Sequence, residues 1–439
     1  MNAGLKKFLM LQKITKCLLL LVLFLIPWQT RLIYEPAFIN GAPWEYGTKS
    51  LYGIELLLGL LIICGLIPLA TQGRAAAKKP SFWVFGLGAL GFLTWVILSS
   101  TNPGVSYQFV TWLVLSACLA TLIKNTVVPK VHLLGALWLG GVLQGFLALE
   151  QFFTQQVVGN KWFGLSNHAA KELGASVVEF GDQRWLRAYG SFGSPNSLGI
   201  YLAVILVVGL VIYATIQSSK IKLAVTAGQM IVLSGLILSF SRGAWIAAGC
   251  GCLALLVLQY RKHQSRELGK QFLWYAFVTL FFVVILQPLF FARFTPSNRL
   301  EARSINERTG QLREAWHVIN EHPLRGVGPG SYTVALANKH PAATAFELQP
   351  VHNIYFLIVA EWGIPMSMLL AALYCYGVYV CWKKQNTIGV VLVVLGSAGL
   401  FDHWLYSLLT GQLLWFIGWG LALNGSNFKP GNPLDSSAK

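Results

Sequence analysis

Twelve stretches of the chain are apolar for about twenty residues at a time, roughly at 9–28, 50–70, 81–99, 105–123, 131–150, 197–216, 223–240, 243–260, 272–291, 353–382, 387–404 and 408–424. Within each stretch the apolar residues run continuously, without the alternation of a half-buried strand. About twenty helical residues cross the hydrocarbon core of a bilayer, and helices satisfy their own backbone there. The pattern predicts an all-α polytopic membrane protein with about 12 transmembrane helices, a single integral membrane domain over residues 1–439. A β-barrel, whose strands alternate, does not fit. The first stretch follows Lys6, Lys7, Lys13 and Lys16 as a signal peptide would. No small-residue cleavage site follows Pro27 and Trp28, so it is expected to remain as the first helix.

Composition sharpens this reading. Of 439 residues, 55% are hydrophobic and 11% charged, against about 25% charged in a soluble domain. A soluble enzyme and a disordered chain are both excluded. A net charge of +17 would suggest nucleic acid in a soluble protein, but here the charge is sorted by side. With the N-terminus in the cytoplasm, the inward segments hold 19 Lys and Arg against two acids, Glu267 and Asp435. The outward segments hold 14 against 11, and Glu55, Glu361 and Asp402 fall within spans. The inward loops with Arg74, Lys78 and Lys79, and with Arg261, Lys262, Arg266 and Lys270, follow the positive-inside rule. All seven cysteines lie in or at the edge of spans, so neither an outward disulfide nor a zinc set is expected.

Two outward segments, 151–196 and 292–351, are too long to be simple connectors. The second holds a helix candidate with Leu312, Trp316 and Ile319 at helical spacing, stopped by His322-Pro323. Gly326-Val327-Gly328-Pro329-Gly330 then makes a tight turn. No strand precedes it and Pro329 interrupts any following helix, so it is not a dinucleotide loop.

Lysine and arginine are sorted differently. Sixteen of 20 lysines face inward, whereas ten of 13 arginines face outward. Charge alone does not separate them, but the guanidinium fork matches phosphate oxygens two at a time. Most outward arginines are expected to pair with outward acids or lipid head groups; Arg187 and Arg242 are set apart by position. Ser241-Arg242-Gly243 is essentially the whole outer turn between two spans. Arg187 precedes a glycine-rich turn ending in Ser194-Pro195-Asn196, where Ser194 as N-cap and Pro195 at the first helical position start a helix. The positive end of that helix faces the outer interface and suits an anion. His352 stands where a long span begins with Asn353, and a neutral imidazole there can act as general base. Glu361, in the same span, is a costly intramembrane carboxylate that could pair with an arginine or hold the helix. Asp402-His403 reads as a packing or polar contact, with a proton-coupling pair as the alternative.

Taken in order, these pieces resemble the O-antigen ligase and polymerase superfamily. The resemblance rests on Arg187 upstream of Ser194-Pro195-Asn196, then Ser241-Arg242-Gly243, then His322-Pro323-Leu324 with Gly326-Val327-Gly328, and finally His352-Asn353 with Gly363 ten residues after the asparagine. The family pattern closes on glycine, threonine or tyrosine three places after that glycine; this chain has Met366. The resemblance implies a C-type glycosyltransferase architecture in the bacterial inner (cytoplasmic) membrane. Both termini would be cytoplasmic, and the active site would lie under a large extracytoplasmic loop containing short helices. It implies transfer of a glycan from undecaprenyl pyrophosphate to an acceptor hydroxyl, that of the lipid A core in the ligase. His352 would be catalytic, Arg187 and Arg242 would bind pyrophosphate, and Ser194, Asn196, Asn353, Glu361, His322 and Arg308 would support them. No Asp-x-Asp motif occurs, so no metal or other cofactor is expected, and nucleic acid is not an expected partner. A polymerase of the same superfamily would share the donor but take a lipid-linked repeat unit as acceptor. A polysaccharide transporter or flippase would instead show related halves with paired broken helices, and no such repeat is evident.

Overall fold

The computed structural model describes residues 3–72, 90–261 and 265–424. Residues 81–89 of the 81–99 segment, the basic loop at Arg74, Lys78 and Lys79, Lys262 and the C-terminal tail lie outside those residues. The chain is 70% helical, and it is a polytopic membrane protein. Among the described residues, seven helices are long and apolar enough to cross a membrane: Pro103–Asn125, Lys130–Thr154, Pro195–Thr215, Ser219–Leu238, Arg242–Arg261, Leu268–Ile285 and Ile354–Lys383. The helices Ala3–Leu25 and Gly53–Gln72 have 23 and 20 residues, and the apolar helices Thr387–Gly399 and Leu409–Leu423 are shorter. The polytopic helical architecture is as expected, and the count of twelve spans stays an expectation from the sequence.

The Pro195–Thr215 helix is the axis of the fold. It is hydrophobic on every side, and 89% of its apolar stretch is buried within the protein, as expected of a helix with no solvent- or lipid-facing stripe. Lys130–Thr154, Ser219–Leu238 and Arg242–Arg261 pack around it.

Two expected spans are broken, and each break has a local cause. The helix Ile354–Lys383 is interrupted at Gly363, where φ is 75° and ψ is 169°. Pro365 has no N–H to give the Glu361 carbonyl, and the Ile364 N–H donates instead to Pro323 O at 2.8 Å. The carbonyls of Ala360 and Glu361 are left without helical partners, a large cost in apolar surroundings. The glycine turn supplies the missing donors: Val327 N–H to Ala360 O at 2.9 Å and Gly328 N–H to Glu361 O at 3.0 Å. The segment expected at 387–404 likewise stops at Gly399, and residues 400–403 are non-helical before the single turn Trp404–Ser407. Asp402 and His403 thus sit outside a helix rather than within a span.

Among the described residues, four short two-stranded antiparallel ribbons accompany the helices: Arg31–Glu35 with Lys49–Tyr52, Phe38–Ile39 with Ala42–Pro43, Gln156–Val157 with His168–Ala169, and Val177–Phe180 with Gln183–Leu186. The last closes on Gly181-Asp182, with Gly181 at φ 56°, the left-handed conformation a tight hairpin requires. In the second long segment the helix Arg299–Glu321 ends at the residue before His322-Pro323, where the proline signal places it. The helix expected from Leu312, Trp316 and Ile319 is present; its buried face holds Ala315, Val318 and Ile319, and Leu312 and Trp316 are exposed.

Segments that the charge arithmetic places on one side are bonded to one another. Thr30 Oγ1 donates to Trp162 O at 2.7 Å, Asn40 Nδ2 to Ala343 O at 2.6 Å, and Thr101 N to Val327 O at 2.9 Å. At the other end Asn386 Nδ2 donates to Ala422 O at 2.8 Å, and the Arg261 guanidinium lies 5.0 Å from the Trp382 ring centre.

Candidate active site

The turn 239–242 gathers a group of arginines. Phe240, fully buried among Phe152, Trp245 and Phe290, holds the left-handed φ of 47°. A bulky residue keeps that conformation only when its surroundings impose it. Ser239 O accepts Arg187 Nε at 2.8 Å, Phe240 O accepts Arg293 Nε at 3.1 Å, and Arg242 follows two residues on. Arg293 O in turn accepts Arg242 Nη1 at 3.3 Å. One carboxylate serves this group. Glu301, 4% exposed in the first turn of the Arg299–Glu321 helix, pairs with Arg242 at 2.7 Å and with Arg293. A small polar pocket opens here, walled by Arg242, Arg293, Arg308, Asn196, Ser241 and Asp402 among others.

The electrostatics of the group are those of an excess of positive charge. Burial, reinforced by Arg293 and Arg308, pushes the Arg187 guanidinium well below its usual value. Burial also lowers Arg293, with Arg242 and Arg308 adding to the effect and Glu301 opposing it. Arginine does not give up its proton in proteins, so these guanidinium groups stay charged where they are buried.

Arg187 is bonded within the protein on two sides. Its Nη2 donates to Asn196 Oδ1 at 2.7 Å and its Nε to Ser239 O, and it is 7% exposed. Part of its fork therefore ties the start of the Pro195–Thr215 helix to the 239–242 turn. Ser194 caps that helix, its Oγ accepting Ser197 N–H at 3.2 Å, with Pro195 at the first position.

His352 lies beside the pocket. Its Nδ1 is 3.5 Å from Asp402 Oδ2, and Asp402 is itself in the pocket wall. Asp402 Oδ1 accepts Trp404 N–H at 2.9 Å, which fixes the carboxylate. The His352 and His403 ring centres are 5.0 Å apart, and His403 Nδ1 is 2.6 Å from Ser407 Oγ. His352, Asp402 and His403 present ligand atoms within 4.8 Å of one another, so a metal ion could be held there. Asn353 caps the helix that follows, accepting Tyr355 N–H at 3.0 Å and Phe356 N–H at 3.2 Å.

Among the described residues, Glu361 pairs with no arginine. It accepts Gly330 N–H at 2.7 Å, Tyr332 N–H at 3.2 Å and Tyr406 Oη–H at 2.5 Å, so it fastens the glycine turn to the broken helix. His322 is exposed and caps the Arg299–Glu321 helix; its carbonyl accepts Gly326 N–H at 2.9 Å. The structure thus brings together Arg242, Arg308, Asn196 and His352 and leaves His322 at the rim of the turn. Arg293, Glu301 and Asp402 complete the group. Arg293 carried a signal in Phe290-Phe291-Ala292-Arg293-Phe294, a cation set into an apolar run. Glu301 carried none, because an acid in a first helical turn is ordinary.

The site thus sets an arginine-walled pocket beside a His–Asp pair in a polytopic helical membrane protein. Residues 227–371, about a third of the chain, match the family described as O-antigen ligase. The match supports the O-antigen ligase superfamily, whose members are ligases and polymerases. It spans Arg242, Arg293, Glu301, Arg308, His352 and Gly363, and leaves Arg187 and Asp402 on either side. No curated protein matches the chain.

Proposed function

We propose that the protein transfers a glycan from undecaprenyl pyrophosphate to an acceptor hydroxyl, that of the lipid A core, on the extracytoplasmic face of a bacterial inner membrane. The observation that carries this reading is the pocket walled by Arg242, Arg293 and Arg308, the first two paired with Glu301, with Asp402, the partner of His352, in the same wall. A pyrophosphate supplies the negative charge this group lacks and can be gripped by more than one fork.

The chemistry follows from that placement. The acceptor oxygen attacks the anomeric carbon, and the bond from that carbon to the phosphate oxygen breaks. The bonding pair leaves with undecaprenyl pyrophosphate, whose growing charge the arginines stabilise. His352 takes the hydroxyl proton, while Asp402 orients the ring and offsets its charge, as an aspartate does for a catalytic histidine. Direct displacement inverts the anomeric configuration. Arginines do here what a divalent ion does in metal-dependent transferases. Arg187 acts from behind, holding Asn196 and the 239–242 turn in register.

Arg242→Lys and Arg308→Lys test the pocket. Each keeps the charge and loses the fork. One charge-assisted hydrogen bond is worth about 1.5–3 kcal/mol, so kcat/KM for the lipid-linked donor should fall roughly tenfold or more. Arg299→Lys is the control, since Arg299 is 70% exposed and pairs only with Glu179 among the described residues. Wild-type turnover in both pocket variants, measured on correctly inserted protein, would remove these arginines from the reaction.

A further inference from the structure

A second cleft lies beyond His403. It is walled by the ribbon segment 45–50, the start of the Pro103–Asn125 helix, the Gly330–Thr333 turn and residues 406–408. Tyr46 and Ser407 stand in this wall and both reach His403, Tyr46 Oη at 3.5 Å from Nε2 and Ser407 Oγ at 2.6 Å from Nδ1. The His403 ring packs against that of His352. The cleft therefore meets the proposed base through contacts that involve none of the pocket arginines.

Its chemistry is unlike that of the arginine pocket. The two cations in its wall are already paired, Arg31 with Glu45 at 2.5 Å and Lys49 with Glu35 at 2.8 Å. Glu361 is held by three donors, so no uncompensated charge invites an anion. What remains is neutral and polar. Ser50 Oγ, Gln108 Oε1, Tyr332 Oη and Thr333 Oγ1 are buried in this wall without a hydrogen-bond partner among the described residues. Ser50, Tyr332 and Thr333 are 4%, 1% and 2% exposed. Groups of this kind normally find a partner, because leaving one unmade costs about 1–3 kcal/mol. Between them stand the rings of Tyr46, Phe109, Trp112 and Tyr406. Hydroxyl and amide groups set among aromatic rings match a sugar, whose ring carries hydroxyls at its edge and apolar C–H faces.

We propose that this cleft binds the acceptor glycan as an uncharged sugar ring and delivers its hydroxyl to His352. The proposal rests on the transferase reading above and adds where the second substrate sits and what recognises it. The test uses full-length protein in lipid nanodiscs without donor, titrated with lipid A core oligosaccharide from which the phosphates have been removed. Thr333→Val and Tyr332→Phe delete one hydroxyl each with little change of shape, and each should weaken binding about fivefold. Arg308→Lys should bind this probe as wild type does. Unchanged binding in both cleft variants, or loss in Arg308→Lys instead, would overturn the proposal. Failure of the wild-type protein to bind the probe while it still transfers glycan would also overturn it and leave the transferase reading standing. Binding that weakens in the cleft variants, in a protein that transfers nothing to this acceptor, would keep the cleft as a glycan site and reject the transferase reading.

Discussion

His352→Ala is expected to insert and fold like the wild type and to lose glycan transfer by about 10²–10⁴-fold, the range for removing a general base. The side chain is 22% exposed at a loop–helix junction, outside the packed centre of the helices, and its contacts are the Asp402 carboxylate at 3.5 Å and the His403 ring. Donor binding should persist, because the arginine pocket is intact. Lipid-linked glycan should accumulate while the acceptor stays bare. His352→Gln separates the two roles the geometry allows. Glutamine can restore a hydrogen bond toward Asp402 but takes up no proton, so a structural role predicts rescue and a base predicts none. Transfer rates of purified, reconstituted variants decide it, and near-normal rates in both would move the proton acceptor elsewhere.

Gly363→Ala should damage the fold and transfer together. At φ 75° and ψ 169° the backbone is in a region open essentially to glycine. A Cβ there would stand 2.4 Å from Leu324 O and 2.5 Å from Leu324 C. Those are backbone atoms, in the segment whose Val327 and Gly328 N–H groups satisfy Ala360 O and Glu361 O. Relief of the clash therefore uncouples the turn from the broken helix and leaves buried carbonyls unpaired. The cost should be at least about 2 kcal/mol, read as a lower unfolding temperature in detergent. Gly249→Ala is the comparison, since a Cβ on this helical glycine meets nothing within 4 Å and alanine is the better helix former. It should be neutral or slightly stabilising. Equal stability of the two variants would show that the break at Gly363 is not held by its neighbours.

The parts of this protein that the sequence made legible are those governed by local rules. Continuous apolar runs mark the helices because the bilayer leaves the backbone no other partner. Ser194-Pro195 and His322-Pro323 mark a helix start and stop, and both fall where those residues place them. Arg242 and His352 are legible because a polar residue at a membrane boundary has few other uses. The breaks were harder. Gly363 and Pro365 stand in a run as apolar as any other, and only the packing of the 322–330 turn shows which carbonyls they release. Asp402 lies at the edge of an apolar run and its meeting with His352 spans fifty residues, so spacing carries no trace of it. Arg187 was singled out by its place before the glycine-rich turn, but its burial and its bond to Asn196 are tertiary facts. The ribbons escaped because strands of two to five residues are too short for their alternation to register.

The most direct measurement is the fate of both halves of the donor. Protein reconstituted into liposomes would receive undecaprenyl-pyrophosphate-linked glycan and lipid A core, with EDTA present throughout. The account predicts glycan on the acceptor and free undecaprenyl pyrophosphate in equal amounts, with the anomeric configuration inverted and the rate unaffected by EDTA. Movement of intact lipid-linked glycan across the bilayer, or transfer that stops when divalent ions are removed, would contradict it.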